Sequence, residues 1–310
     1  MRLVLILVCS VLMISLPIQA ADPKAVLVTG ATSGIGKRTV ELLSNEGMYV
    51  YAGGRKQADL EMLDAMDNVE SVRLDVTKPE DIATAVAQIE KGGKALHGIV
   101  NNAGVVIFQP LIEVGEDQLD FLFDVNVYGP YRITKAFAPM LIESKGRVVN
   151  ISSISGVLSG ALMGPYSMSK HAVEAYNDAL ALELAAFGVG VSAIEPGNYA
   201  SKIGASALQR AGEKGIDYEN SRYREQIESG LARGADRDDM ADPIAVARAV
   251  QHALISDSPK ARYMVTPNQF EAKITIQKLL HELTEMNHDQ PYSYDRDELV
   301  ELLDEALSEL

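Results

Sequence analysis

At 310 residues and 47% hydrophobic composition, the chain can bury one large core, and no Pro- or Ser-rich linker divides it. A formal charge of −15, with Lys and Arg scattered rather than patched, argues against nucleic acid or an anionic membrane surface as partner, because the electrostatic term opposes approach. The single cysteine, Cys9, lies in an apolar leader, so the rest of the chain has no thiol for a disulfide, a thiolate metal site or a cysteine nucleophile, and no metal site is expected.

The leader runs from Arg2 through the apolar stretch Leu3 to Leu16 to Pro17-Ile18-Gln19-Ala20, and reads as a secretory signal over 1–20 cleaved after Ala20. It predicts export or a secretory-pathway lumen. An uncleaved N-terminal anchor would instead make the membrane a partner, and a true start at Met13 would leave the protein cytoplasmic. From Ala25 onward, short apolar runs alternate with longer amphipathic stretches, the pattern of repeated βα units around a parallel sheet. Strands are expected at Ala25 to Thr29, Met48 to Gly53, Val69 to Asp75, Gly98 to Asn101, Arg147 to Ile151, Gly190 to Ile194 and Arg262 to Val265. Crossover helices are expected near Gly36 to Asn45, Asp59 to Met66, Pro79 to Glu90, Glu116 to Ile142, Tyr166 to Phe187 and Pro243 to Ile255. The fold class is α/β: a doubly wound parallel sheet of about seven strands with helices on both faces.

Between Pro196 and Asp242 the pattern turns polar and glycine-interrupted, which predicts either a mobile lid over 198–242 or a solvated helical insertion. After Val265, apolar residues at helical spacing (Ile274, Ile276, Leu279, Leu280, Leu283) and then an acidic end from Leu299 to Leu307 predict a helical extension over 266–310. Such an extension packs on the domain or on a partner subunit, with its acids solvated.

The first strand leads into Thr29-Gly30-Ala31-Thr32-Ser33-Gly34-Ile35-Gly36, which opens the first helix. Glycines there let backbone N–H groups approach a pyrophosphate at a helix N-terminus, although a tight strand-to-helix turn needs glycine for steric reasons too. A NAD site places an acid at the end of the second strand, whereas this chain has Ala52-Gly53-Gly54-Arg55-Lys56. Arg55 suits a 2′-phosphate through a charge-assisted bond, and Lys37 adds a second positive charge, so NADP(H) is expected over NAD(H). Asp75, followed by Val76, closes the third strand; it either accepts from the adenine amino group or caps the following helix.

Tyr166 and Lys170 lie one helical turn apart, and Ser153 ends the strand that feeds their helix. A ketone reduction needs a hydride donor on one face and a proton donor at the oxygen; a phenol serves if its pKa, normally about 10, is pulled down. Lys170 does this by charge, and Ser153 holds the substrate oxygen near the phenol. A Tyr-x-x-x-Lys pair alone arises by chance, but here it follows the glycine turn and the serine in order.

With these matches the chain resembles the short-chain dehydrogenase/reductase family, in its single-domain branch, over Ala25 to Val265. The resemblance rests on Thr29 to Gly36, Asn101-Asn102-Ala103-Gly104, Asn126, Ser153, Tyr166, Lys170 and Pro196-Gly197. It implies a Rossmann-type catalytic domain over 21–265. Asn102, Ala103 and Gly104 then lie along the cofactor; Asn126 holds a water that completes a proton relay from Lys170; Pro196 and Gly197 form the turn beside the nicotinamide; Tyr166 and Lys170 also touch the cofactor. Many members follow that turn with a threonine for the carboxamide, whereas this chain reads Asn198-Tyr199-Ala200-Ser201-Lys202, with Ser201 the available substitute. Family members commonly pair into homo-oligomers through the two long helices expected at Glu116 to Ile142 and Tyr166 to Phe187.

Expected pocket edges are Val105 to Phe108, Val157-Leu158, Ala161-Leu162-Met163 and Tyr199, apolar and without an Arg or Lys to clamp an anion. The substrate expected is a small apolar ketone, aldehyde or alcohol, and the Ala-Gly-Gly-Arg run and long C-terminal segment are similar to steroid and retinol dehydrogenases of the family. A generic aldehyde or oxoacyl reductase is an alternative. The competing function is a non-catalytic NADP(H)-binding sensor or scaffold, against which the intact Ser153, Asn126, Tyr166, Lys170 set argues. A sugar-nucleotide epimerase or dehydratase is disfavoured by the glycine spacing. NADP(H) is an intracellular cofactor, so the leader and the chemistry disagree about the address.

Overall fold

Parallel strands need apolar residues on both sides, and the first, β1 (Ala25–Val28), is fully buried at every position. It is followed by β2 (Tyr49–Gly54), β3 (Val69–Arg73), β4 (Leu96–Asn101), β5 (Arg147–Ile151), β6 (Gly190–Pro196) and β7 (Arg262–Val265), all parallel, in the order β3-β2-β1-β4-β5-β6-β7. The computed structural model describes residues 24–234 and 240–309. The leader, with its signal, anchor and alternative-start readings, lies outside the described residues, as does 235–239 of the expected lid.

Alternation along β1 feeds two cores. Ala25 and Leu27 face α3 (Pro79–Lys91), α5 (Gly129–Ser144) and α6 (Gly164–Ala185), while Val26 and Val28 face α1 (Gly34–Asn45) and α9 (Ile244–Ile255). Each large apolar side chain so buried stabilises the fold by about 1.5–3 kcal/mol. At the sheet centre Asn101 Nδ2 donates to Asn150 Oδ1 at 2.9 Å, and Asn150 Nδ2 donates to Asn177 Oδ1 at 3.0 Å, so buried amides tie β4, β5 and α6 together.

The helix expected over Glu116 to Ile142 is not continuous. It forms α4 (Glu116–Phe123), a π-helical turn (Asp124–Tyr128) and then α5. Pro130 has no N–H to continue an α-helical ladder, and Gly129 comes close against Val76, where an added β-carbon would lie 2.8 Å from Val76 Cγ2. β4 begins two residues earlier than expected, paired to β1 across a register shift between Ala25 and Val26.

The other α-helices among the described residues are α2 (Gln57–Asp64), α7 (Ile203–Glu213) and α8 (Arg224–Gly234) in the segment after β6, and α10 (Gln269–Asn287) and α11 (Arg296–Ser308) in the extension. α10 buries Glu271 and Thr275, whereas α11 buries nothing and stands on its own capping box, Asp295 with Glu298. Among the described residues, no helix is long and apolar enough to cross a membrane.

Candidate active site

Pro165 in the first turn of α6 suits a helix start, where a missing N–H costs nothing. One turn in, Lys170 is 6% exposed; its Nζ donates to Ile151 O at 2.8 Å and sits 5.6 Å from the Tyr166 ring centroid. Burial pulls the Lys170 pKa down to about 8, with Glu174 pushing the other way. Ser153, two residues past the end of β5, caps a short 3-10 turn; its Oγ accepts from Ser155 N at 3.0 Å and donates to Pro196 O over a long 3.5 Å. Ser153 and Tyr166 open on the same cavity of about 1240 Å³.

Asn126 falls inside the π-helical turn, and both polar atoms of its side chain have partners. Nδ2 donates to Val105 O at 2.9 Å and Ser169 Oγ at 3.0 Å, and Oδ1 accepts from Val105 N at 2.8 Å.

The cofactor cradle is built at the α1 N-terminus. Gly30 (φ +63°) and Gly34 (φ +52°) take left-handed conformations, and Ser33 precedes the helix in extended form without a side-chain cap bond, so the first-turn N–H groups, Ile35 and Gly36 included, have no local side-chain acceptor. That arrangement fits a phosphate. Asn102 braces the turn by donating from Nδ2 to Thr29 O at 2.9 Å and Gly30 O at 3.0 Å, while the Asn102 and Ala103 N–H groups both reach Thr29 Oγ1 at 3.0 Å. Gly104 is exposed beyond them. A β-carbon on Gly36 would collide with Gly30 O and Asn102 Nδ2. Gly36→Ala is accordingly expected to cost about 1–3 kcal/mol of stability, measurable by denaturant unfolding, and to weaken dinucleotide binding.

Arg55, at the end of β2, is 64% exposed, its Nη1 3.7 Å from Asp75 Oδ2. Asp75 does not cap α3, whose cap position is Lys78; its Oδ1 closes a local turn by accepting from Thr77 N at 3.0 Å and Thr77 Oγ1 at 2.7 Å. Burial opposes its ionisation, but the Thr77 bonds and the Arg55 charge hold its pKa below the usual carboxylate value. The Val76 side chain is core. Lys37 lies 3.8 Å from Glu41 along its own helix.

The cavity wall corrects part of the expected pocket. Val106, Phe108, Leu158, Leu162 and Met163 line it, whereas Val105 and Tyr199 are buried in the cores and Val157 is not on the wall. α7 adds Arg210, whose Nη2 donates to Val106 O at 3.1 Å over the Phe121 ring; it is a cation that sequence patterning did not place. Asp117, Glu213, Glu225 and Glu271 on the same wall outnumber Arg210 and Lys214, so the surroundings disfavour an anionic ligand. The extension, expected to pack on the domain or on a partner subunit, supplies Phe270, Glu271 and Ile274 to the wall. Ser201 lies beside Gly34, its Cβ 3.1 Å from where a Gly34 β-carbon would stand.

A phosphate cradle at one strand end, with a serine and a tyrosine on one cavity and a buried lysine behind the tyrosine ring, defines an oxidoreductase of the dinucleotide-binding fold. The short chain dehydrogenase family model matches residues 24–211. The NADPH-dependent 3-dehydrocapnine reductase of Ornithobacterium rhinotracheale is 36% identical over 261 residues, covering 81% of this chain and 90% of that protein. Retinol dehydrogenase 7 of Mus musculus is 33% identical over 252 residues, covering 77% and 79%. The crystal structure of a short chain dehydrogenase/reductase from Burkholderia phymatum in complex with NAD is similar with a TM-score of 0.72 at 28% identity, covering 88% of this chain and 99% of that one. The chain belongs to the short-chain dehydrogenase/reductase family.

Proposed function

We propose that the protein transfers a hydride between NADP(H) and an apolar ketone, aldehyde or alcohol, with Tyr166 giving or taking the proton. The observation that carries this is the placement of Ser153 and Tyr166 on one mostly apolar cavity, with the Lys170 ammonium held by Ile151 O against the Tyr166 ring. Bound in the glycine cradle, the cofactor supplies or accepts the hydride. Ser153 exchanges its long contact to Pro196 O for the substrate oxygen and orients it. Tyr166 passes the proton to that oxygen in reduction, Lys170 stabilises the phenolate left behind, and Asn126 holds the relay water that returns a proton to the site. Purified protein is expected to shift NADPH fluorescence and to oxidise NADPH with members of a panel of apolar ketones and aldehydes. If it does neither, the proposal falls.

The preference for NADP(H) rests on Arg55, exposed where a 2′-phosphate would lie, with no acid at the end of β2. One relative is named as NADPH-dependent, while a structural neighbour holds NAD, so the point needs a direct test. Arg55→Ala is expected to raise the Kd for NADPH about tenfold or more, since a hydrogen bond to a charged group contributes about 1.5–3 kcal/mol, and to leave the Kd for NADH unchanged. Equal weakening of both would remove Arg55 from the phosphate site.

A further inference from the structure

The C-terminal extension reaches the active site through one carboxylate. Glu271 stands in the first turn of α10 at 8% exposure, and a buried carboxylate is costly unless its oxygens are bonded. Its Oε2 accepts the Asn198 main-chain N–H at 2.8 Å, and its Oε1 accepts from Asn268 Nδ2 at 3.1 Å. α11 opens with the same spacing of cap residue and glutamate, but there Glu298 Oε2 turns back to accept the Asp295 N–H at 2.7 Å and closes the local box. In α10 the cap half of the motif is kept, with Asn268 Oδ1 accepting the Glu271 N–H at 3.0 Å, while the glutamate leaves the helix for the turn after β6. Helix capping alone does not need that diversion.

Gly197, in the same turn, has a matching explanation. It is not one of the glycines with positive φ, so backbone freedom does not account for it. A β-carbon there would collide with Glu271 Oε2 and lie 2.9 Å from Pro267 Cδ, so glycine at 197 leaves room for the carboxylate and for the proline ring. The Gly197 N–H also donates to Val265 O at 2.8 Å, and the end of β7 and the start of α10 hold the turn from two sides.

We propose that Glu271 is a positioning residue: its carboxylate holds the Pro196 to Asn198 turn in place against the nicotinamide and makes α10 a working part of the site. The place of that turn beside the cofactor rests on the function proposed above. Wild type, Glu271→Ala, Glu271→Gln, Gly197→Ala and the Glu271→Ala/Gly197→Ala double variant would be compared by circular dichroism, NADPH fluorescence titration and kinetics on an apolar ketone. Glu271→Ala is expected to lower kcat about a hundredfold, the scale of loss for a small misplacement of reacting groups, with the ketone KM little changed and NADPH bound more weakly. Glu271→Gln keeps an oxygen to accept from Asn198 and is expected to restore most of both losses. Gly197→Ala is expected to lose at least as much as Glu271→Ala, and the double variant to fall well short of the product of the two losses, because the two share the carboxylate contact while Gly197→Ala also presses on Pro267. Losses that multiply in the double variant, or a Glu271→Gln as impaired as Glu271→Ala, overturn the proposal. A wild-type protein that neither binds NADPH nor turns over would overturn the proposed function and this role with it.

Discussion

Tyr166→Phe is expected to lower kcat/KM for carbonyl reduction by about a hundredfold to ten-thousandfold while leaving the NADPH Kd within about twofold, the range for losing a positioned general acid. The effect should be this large because the other two groups assigned to the proton transfer already have partners. Ser153 is partly occupied by Ser155 N and Pro196 O, and the Lys170 ammonium faces Ile151 O beneath the ring. Phenylalanine keeps the ring volume, so α6 packing and the cavity survive; the comparison isolates the hydroxyl. Steady-state kinetics beside a fluorescence titration checks it. Unchanged turnover would move the proton elsewhere, and unchanged binding with no turnover in the wild type would favour the sensor alternative.

Lys170→Met is expected to produce the second-largest loss, again about a hundredfold or more in kcat/KM, and to change the pH profile. Burial brings the Lys170 pKa down to about 8, so the group is charged below that pH and neutral above it. The positive charge is what favours phenolate at Tyr166, in either direction of the reaction. kcat/KM, which reports groups of the free enzyme, should therefore fall as pH rises through about 8. The methionine variant, uncharged throughout, should lose that limb of the profile. A wild-type profile flat across this interval, or a variant that retains the same limb, would show that the lysine charge does not assist proton transfer.

The sheet was legible because each strand is a short apolar run bounded by turn residues, and because parallel strands buried on both sides carry a continuous rather than alternating pattern, as in Ala25–Val28. The glycine turn, Ser153, Tyr166 and Lys170 were legible because their spacing is local. The π-helical turn at Asp124–Tyr128 was not, since one extra residue in a helical turn barely disturbs apolar periodicity; only Gly129-Pro130 hinted at it. The bonds of the Asn126 side chain to Val105 and Ser169 depend on partners brought together by the fold. Glu271 shows the same difficulty more sharply. Its spacing from Asn268 is an ordinary helix-start signal, identical in form to Asp295 with Glu298, and nothing local says that its carboxylate bonds Asn198 across the fold. Arg210 sat in a polar, glycine-interrupted segment whose weak periodicity did not reveal which side faces the cavity.

The most direct measurement is hydride tracing. NADPH carrying deuterium at the transferable C4 position would be mixed with the protein and an apolar ketone, and the product alcohol examined by mass spectrometry. One deuterium on the carbinol carbon is expected, formed by the wild type and almost absent with Tyr166→Phe. An alcohol without deuterium, or no alcohol from any ketone of the panel despite tight NADPH binding, would contradict it.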